Sequence, residues 1–184
     1  GWIWALGAAI LLMWALVSWL RLRKQVAASV ERDGLWYCDG LASPFILGVF
    51  RPRIYVPSDL PPEALCHVTA HEQAHLRRRD HWWKPLGFLL LSVYWFHPLM
   101  WAAYILLCRD IESACDERVI RELNINDRKA YSMALLNCGK SLAGVSVCPV
   151  AFGELSVKAR IKRVLCYKKP GFWVALVAVA VCIF

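Results

Sequence analysis

Hydrophobic positions divide the chain into long uncharged runs and shorter stretches in which apolar residues recur at helical or strand spacing. Residues 2–20 carry no charge, and as a helix at about 1.5 Å per residue they extend roughly 28 Å, close to the thickness of a hydrocarbon core. No basic segment precedes this run and no small-residue cleavage site follows it, which disfavours a signal peptide. We predict a transmembrane helix over 1–20 and the start of a further one over 170–184, within an excerpt of a longer membrane protein.

A third apolar run, 82–107, is interrupted by His97-Pro98. Proline biases the preceding residue away from helix and suits the first turn of a new helix. Each limb is then about 15 residues or fewer, roughly 22 Å as helix, which is too short to cross a bilayer. The pattern predicts a helical hairpin that dips into the membrane or lies in its interface, with His97 as a structural residue at its tip. A buried hairpin in a soluble core is the alternative.

Short apolar stretches with tight breaks occupy residues 33–57. Two of them, 45–50 and 53–56, are separated by Arg51-Pro52, which predicts short strands with tight turns. An extended peptide could pair with the edge of such a sheet. A structural hairpin that covers the neighbouring helix is an equally compatible interpretation.

A helix predicted from about Pro61 to Arg79 carries the motif His71-Glu72-Gln73-Ala74-His75. HExxH on a helix puts two imidazoles one turn apart with a carboxylate beside them. A catalytic zinc site needs three protein ligands and an open position for water. His71 and His75 would be two ligands, and Glu72 would take the proton of the water. A chance pentapeptide on a charged helix is the alternative, so the motif needs support from its surroundings.

Two residues compete for the place of third ligand. Glu112 lies on a second predicted helix and shares a face with Asp116, one turn further on. His81 follows HExxH at the spacing of the HExxHxxGxxH proteases, but Arg78 stands where that class has a glycine and resists the positive φ of its turn. The sequence favours Glu112 as ligand. It predicts that Asp116 accepts the other ring N–H of a zinc histidine, namely His71.

Composition and charge support a membrane setting. The chain is 59% hydrophobic yet has a net charge of +8, which is unusual for a soluble protein and ordinary for a membrane protein with basic loops. Basic residues follow the first span and precede the last, so the positive-inside rule places 21–169 in the cytoplasm. The basic run before the last span predicts contact with lipid headgroups and not with nucleic acid, because no recognition fold accompanies it. The run comprises Lys158, Arg160, Lys162, Arg163, Lys168 and Lys169.

Other candidate side chains lie near the predicted chemistry. Eight cysteines without a CxxC pair indicate reduced structural thiols, and packing is the favoured role of Cys115. Tyr131 belongs to an amphipathic helix predicted over 127–143. A group that stabilises the oxyanion is also expected; Tyr131 and Arg160 are both candidates, and the sequence assigns neither.

Four segments in this order resemble one known family: residues 43–57, 71–81, 96–98 and 110–117. The chain resembles the integral-membrane zinc metallopeptidases of the beta-lactam sensor-transducer (BlaR/MecR-type antirepressor) family. The resemblance implies that Glu112 is the third zinc ligand, that the protease faces the cytoplasm, and that it relays an external signal by proteolysis. It also suggests a self-cleavage position near Ala151-Phe152. The best-known members carry a penicillin-binding sensor domain that these residues lack, so beta-lactam sensing is not implied.

The expected fold is therefore membrane α+β, with transmembrane helices flanking a cytoplasmic, gluzincin-like HExxH metallopeptidase domain over 21–169. A small β-hairpin or sheet and the re-entrant or interfacial helical hairpin over 82–107 belong to that domain. The expected function is that of a zinc (Zn2+) metalloendopeptidase, multi-pass in the bacterial cell membrane, that cleaves itself or a cytoplasmic repressor-type protein. Its expected partners are membrane lipid and a protein substrate, and a homo-oligomer is compatible with the sequence.

Two other functions stay open. One is a membrane zinc protease of the quality-control or prenyl-protein-processing kind, which shares HExxH and a downstream ExxxD arrangement. The more distant one is a non-catalytic signalling module with structural zinc. Glu72 discriminates here, because a structural zinc site closes its fourth position and has no use for a general base.

Overall fold

The structure is a computed structural model that describes residues 1–121, 123–141 and 157–166. It is mostly helical and contains one small mixed sheet. The helices are α1 (Trp2–Gln25), α2 (Pro62–Arg78), α3 (Asp80–Val93), α4 (Pro98–Ile120), α5 (Ile125–Ser141) and α6 (Val157–Leu165). The strands are β1 (Val30–Arg32), β2 (Leu35–Cys38), β3 (Phe45–Leu47) and β4 (Arg53–Pro57). The predicted span 170–184 and the segment near Ala151-Phe152 lie outside the described residues.

Among the described residues, α1 is the one helix long and apolar enough to cross a membrane. Most of its apolar side chains are exposed, with Trp2 at 92%, a surface that suits lipid better than water. The helix continues past the predicted end at residue 20 to Gln25. Arg23 and Lys24 lie in its last turn, where cations complement the negative end of the helix dipole.

The sheet has the strand order β1-β2-β4-β3. The outer pairs are antiparallel and the central pair, β2 with β4, is parallel. Gly48 lies in the turn between β3 and β4 with φ at 111°, and a Cβ there would lie 2.6 Å from the carbonyl oxygen of Arg51, so the turn requires glycine. The predicted short strands are present. The parallel pair was not predicted, because pairing between strands that are not adjacent in sequence leaves no local signal.

Helices α3 and α4 form a hairpin that turns at residues 94–97. His97 is extended, at φ −98° and ψ 112°, and Pro98 begins α4, as expected from the restriction that proline places on its neighbour. The two limbs pack through Phe88, Leu91 and Tyr104. The second apolar limb and the helix of Glu112 were predicted as separate elements. In the structure, both belong to α4, a single helix of 23 residues.

α1 packs along this hairpin and fixes its tip. The indole Nε1 of Trp4 donates to the carbonyl oxygen of Val93 at 2.8 Å, and that of Trp95 donates to the carbonyl oxygen of Trp4 at 3.1 Å. Gly7 lies under the ring of Trp95, where a Cβ would approach the indole to 2.2 Å. The hairpin tip therefore lies beside the N-terminal end of α1, and Leu11 and Ala15 of that helix pack against the hairpin further along.

The turn between α2 and α3 brings the second helix back beside the first. α2 ends at Arg78, and Arg79 adopts φ 60° and ψ 34° before α3 begins at Asp80. A positive φ is uncommon for a residue other than glycine. It falls one residue after Arg78, the position at which the HExxHxxGxxH class has its glycine, so the turn has a different register in this chain.

Candidate metal centre

Three buried side chains present their donor atoms to one point between α2 and α4. The Nε2 atoms of His71 and His75 lie 3.2 Å apart. The carboxylate of Glu112 places Oε2 3.4 Å from Nε2 of His71 and Oε1 3.6 Å from Nε2 of His75. A tetrahedral ion with ligands at about 2.0–2.1 Å separates its ligand atoms by about 3.3–3.4 Å. The two nitrogens have nearly that spacing, and Glu112 places one carboxylate oxygen at a similar distance from each of them, so the three side chains could surround one tetrahedral zinc ion.

His75 is held from behind by Asp80, the first residue of α3. Nδ1 of His75 lies 2.8 Å from Oδ2 of Asp80, which is only 2% exposed. Burial alone would raise the pKa of Asp80, but the hydrogen bond from His75 outweighs it and the pKa is lowered. The same oxygen lies 3.2 Å from Sγ of Cys115. This role of Asp80 was not predicted, because its only signal in the sequence is an aspartate at the start of a helix just after HExxH.

His71 is held from behind through Tyr131 of α5. The Tyr131 hydroxyl lies 2.9 Å from Nδ1 of His71 and donates to Oδ1 of Asp116 at 2.7 Å. Asp116 itself is 3.4 Å from Nδ1 of His71. Asp116 was predicted to accept the ring N–H of His71 directly; in the structure it lies on that side of the ring, and the hydroxyl of Tyr131 makes the hydrogen bonds to both. Burial, with the charge of Asp116 beside it, raises the pKa of Tyr131.

These rear contacts determine the protonation of both rings. Nδ1–H of His71 donates to the Tyr131 oxygen and Nδ1–H of His75 donates to Asp80, an assignment made from the hydrogen-bond network. Each neutral ring then turns the lone pair of its Nε2 toward the other. Two lone pairs 3.2 Å apart repel one another unless a proton or a metal ion lies between them, and the guanidinium of Arg160 reaches only the Nε2 of His71. The donor set thus fits a metal ion.

Two cations reach the same cluster from other helices. Lys84 of α3 donates to Oε1 of Glu112 at 2.8 Å. Arg160 of α6 makes a two-point contact with Asp116, from Nε to Oδ2 and from Nη2 to Oδ1, each at 2.8 Å. Its Nη1 lies 3.2 Å from Oε2 of Glu112. The prediction that the whole basic run contacts lipid headgroups is therefore wrong for Arg160, because buried carboxylates offer its guanidinium a stronger partner.

The charges in this cluster do not balance without a further cation. Four carboxylates are buried there, those of Glu72, Asp80, Glu112 and Asp116, against the two cations just described. Arg78 adds a contact of 3.5 Å to Asp80, but it is 37% exposed and water screens it. With neutral imidazoles the buried groups carry a net charge of about −2, and uncompensated buried charge is costly. A divalent ion held by His71, His75 and Glu112 would supply the missing charge.

The pKa of His75 reflects the same imbalance. Burial alone would lower it, but the hydrogen bond to Asp80 and the contacts with Cys115 and Glu112 outweigh burial and raise the pKa to about 12. The pKa of Glu112 is held well below its usual range, since Lys84 and the neighbouring imidazoles outweigh its burial. Without a metal, the cluster therefore keeps a proton on His75.

The remaining candidates occupy distinct places. Glu72 is buried on α2, next to His71 in the sequence, and its carboxylate interacts electrostatically with Lys84. Within the described part of the chain, two groups of side chains could hold a metal ion: His71, His75 and Glu112, and His75, Asp80 and Cys115. His81 belongs to neither group. Its Nδ1 is buried without a hydrogen-bond partner. Cys115 is fully buried against Asp80 and Nδ1 of His75, so it supports the histidine from behind rather than facing Glu112.

Comparison with known proteins agrees with this geometry. Residues 1–164 match the family model described as BlaR1 peptidase M56. The methicillin resistance mecR1 protein of Staphylococcus aureus is 22% identical over 157 residues, which cover 79% of this chain and 27% of that protein. The regulatory protein BlaR1 of Bacillus licheniformis is 29% identical over 159 residues, covering 73% of this chain and 26% of that protein. The chain thus spans about a quarter of the length of the curated relatives it matches.

Proposed function

Because this chain belongs to the BlaR1 peptidase M56 family, we propose that it is a zinc metalloendopeptidase embedded in the cell membrane. The observation that carries the proposal is the set of three buried donors, His71, His75 and Glu112, at the spacing of a tetrahedral ion. Zinc is the metal that such a nitrogen and carboxylate set favours, with a fourth position left for water. Glu72 belongs to the proposal as general base.

The proposed role of each side chain follows from its contacts. When bound, zinc makes its water acidic, with a pKa of about 7, and polarises the peptide carbonyl. Glu72 accepts a proton as the water oxygen attacks the carbonyl carbon, and later donates it to the leaving amine. Asp80 and Tyr131 hold the two imidazoles with Nε2 deprotonated. Such partners behind the ligands raise ligand basicity and fix ring orientation.

The proposed topology uses the exposed apolar surface. α1 crosses the membrane, the domain over 21–169 lies on the cytoplasmic side, and 170–184 begins a further span. The hairpin over 82–107 enters the membrane from the cytoplasmic side beside α1, with Trp4 against its tip. Leu86, Leu89, Leu90 and Leu106 are exposed on it, and lipid is the natural neighbour of such a surface.

We propose a regulatory role for the cleavage. The relatives bear names of a resistance protein and a regulatory protein, and a protease that acts on itself or on a cytoplasmic repressor-type protein would fit such a role. This chain covers about a quarter of the length of those relatives, so we leave the substrate of the whole protein unspecified. The experiment below therefore makes no assumption about the substrate.

The test compares zinc content and new protein termini in membranes from cells that carry the full-length protein. Expected results are that Glu72→Ala retains zinc and loses the termini produced by wild type, whereas Glu112→Ala loses zinc and termini together. Glu63→Ala is the matched control, because Glu63 is an exposed carboxylate of the same helix. If Glu72→Ala produces the same termini as wild type, the catalytic proposal fails and a structural metal module replaces it.

A further inference from the structure

The catalytic proposal leaves open which group stabilises the negative charge that develops on the peptide carbonyl oxygen. Tyr131 and Arg160 were the two candidates from the sequence. The Tyr131 hydroxyl lies between Nδ1 of His71 and Asp116, on the edge of the imidazole ring that faces away from Nε2. A group behind the ligand cannot reach a carbonyl oxygen in front of it. Tyr131 is therefore a positioning residue.

Arg160 reaches from the rear support to the metal-facing atoms. Two of its five N–H groups are used by Asp116. Its Nη2 also lies 3.2 Å from Nε2 of His71, and Nη1 lies 3.2 Å from Oε2 of Glu112. These are two of the three atoms that would hold the metal. Counting these contacts, one N–H of the guanidinium, on Nη1, is left beside the metal-facing atoms, and a bound metal would also free the N–H that points at Nε2 of His71.

Lys84 is the rival cation. Its ammonium donates to Oε1 of Glu112, the other oxygen of that carboxylate, from α3. The charge of Glu72 also acts on it, so it lies among the carboxylates on that side. In contrast to Arg160, no contact joins it to the metal-facing nitrogen of either histidine within the described residues. Its contacts suit a role in orienting Glu112.

We propose that Arg160 is a further catalytic residue, which hydrogen-bonds the carbonyl oxygen of the scissile peptide as that oxygen becomes negative. The inference rests on the proposed function. In the step concerned, the bond from water oxygen to carbonyl carbon forms, the carbonyl π pair moves to oxygen, and Glu72 takes the proton of the water. Arg160 donates hydrogen bonds and transfers no proton. The pair then returns to carbon, the C–N bond breaks, and Glu72 gives its proton to the amine.

Asp116 acquires a second role in this arrangement. The fork of Arg160 is held at two points by Asp116, and the same carboxylate accepts from the tyrosine behind His71. One carboxylate therefore orients both a ligand and the proposed oxyanion donor. Preorganised donors of this kind are effective because they need no rearrangement as the charge develops.

The test uses the full-length protein in membrane vesicles and four variants: Arg160→Met, Arg160→Lys, Arg160→Ala and Lys84→Met. Three properties are measured for each: bound zinc, the rate at which Glu72-dependent termini form, and affinity for two probes. The probes are phosphoramidon, whose tetrahedral phosphoryl group resembles the developing oxyanion, and acetohydroxamate, a planar chelator of zinc. Lys162→Met is the matched control, because Lys162 is an exposed cation of the same helix.

The expected result is that Arg160→Met retains zinc and acetohydroxamate binding while cleavage slows by about 100-fold or more. The affinity of Arg160→Met for phosphoramidon falls together with its cleavage rate. Arg160→Lys is expected to have an intermediate rate and an intermediate affinity. Because Arg160→Met leaves the buried carboxylate of Asp116 without a cation, Arg160→Ala is also assayed with added millimolar guanidinium, which is expected to restore part of the rate without changing zinc content.

Three outcomes overturn the inference. The first is loss of zinc in step with loss of rate in every Arg160 variant without rescue by guanidinium, which indicates a structural role. The second is an Arg160→Met protein that cleaves at the wild-type rate. The third is loss of phosphoramidon affinity in Lys84→Met but not in Arg160→Met. If Glu72→Ala cleaves normally, the proposed function itself fails; if Glu72→Ala is inactive and Arg160→Met is active, only the role of Arg160 fails.

Discussion

Replacing Asp80 by asparagine tests whether the carboxylate behind His75 strengthens metal binding. The change removes one negative charge from a side chain that is 2% exposed. Asparagine keeps an oxygen that can accept from Nδ1 of His75, so the ring orientation is preserved while the charge is lost. The charge makes the imidazole a better electron donor and helps to balance the metal ion.

The size of the effect follows from the contact. The distance of 2.8 Å between Nδ1 of His75 and Oδ2 of Asp80 is that of a strong, charge-assisted hydrogen bond. Loss of such a partner lowers metal affinity by about 10- to 100-fold, which corresponds to about 1.4–2.7 kcal/mol. Asp80→Ala removes the acceptor as well, so we expect its loss to lie at or above the upper end of that range.

The assay is competition for zinc against a chromogenic chelator, with purified full-length protein in detergent micelles. Asp110→Asn is the matched control, since Asp110 is an exposed aspartate and its change should leave zinc affinity unaltered. Equal zinc affinity in wild type and Asp80→Asn would refute the argument that this carboxylate supports the metal. An equal loss of zinc affinity in Asp80→Asn and Asp110→Asn would show that the effect comes from the overall charge of the protein and not from the contact with His75.

Three further predictions follow from the contacts. Tyr131→Phe removes the hydroxyl between His71 and Asp116, and zinc affinity should fall by about 10-fold. Gly7→Leu puts a side chain where Trp95 lies, and thermal unfolding should show a loss of about 1–3 kcal/mol. The pKa of His75 rises from 6.5 to about 12, so in metal-free protein its protonation stabilises the fold fully below pH 6.5, and that stabilisation is lost as pH rises through about 12.

Each of these has a control or a contrary result. Ala9→Leu, at an exposed position of the same helix as Gly7, should leave stability unchanged; equal losses in both variants would contradict tight packing at the hairpin tip. For Tyr131→Phe, unchanged zinc affinity would exclude the tyrosine from the support of His71. For His75, zinc binding at neutral pH should release about one proton per ion in calorimetry with two buffers. The stability of zinc-loaded protein should lack this dependence on pH. An equal slope of stability against pH with and without zinc would contradict the assignment of the proton to His75.

Much of the site could be predicted because its first parts are local. His71, Glu72 and His75 lie on one helix, where spacing alone determines their arrangement. Glu112 and Asp116 are likewise four residues apart on α4, so helical periodicity places both carboxylates on one face of that helix. The resemblance carried by four motifs is confirmed by the match to the family model. The hairpin turn at His97 was predicted because proline acts on its immediate neighbour.

The parts that were missed depend on contacts between helices. Asp80 and Lys84 reach the site only because α3 folds back at Arg79. The left-handed backbone conformation of Arg79 cannot be predicted from the periodicity of the sequence. Arg160 was named both as an oxyanion candidate and as part of the basic run, but the sequence gives no sign of which member of that run turns inward. Tyr131 was named as a candidate for the oxyanion, whereas the structure places its hydroxyl behind a ligand. Distinguishing front from back of a ring requires the relative placement of α2, α4 and α5.

α3 has a consequence for how this family can vary in length. Its 14 residues form a rod of about 21 Å; Asp80 at one end supports His75, and Val93 at the other accepts the hydrogen bond from Trp4. Inserting a single residue would turn one end by about 100° relative to the other, so one of the two contacts would be broken. Related chains that keep both contacts should therefore conserve the number of residues between Asp80 and Val93, because even a whole added turn, which restores the direction of the side chains, lengthens the helix by about 5.4 Å.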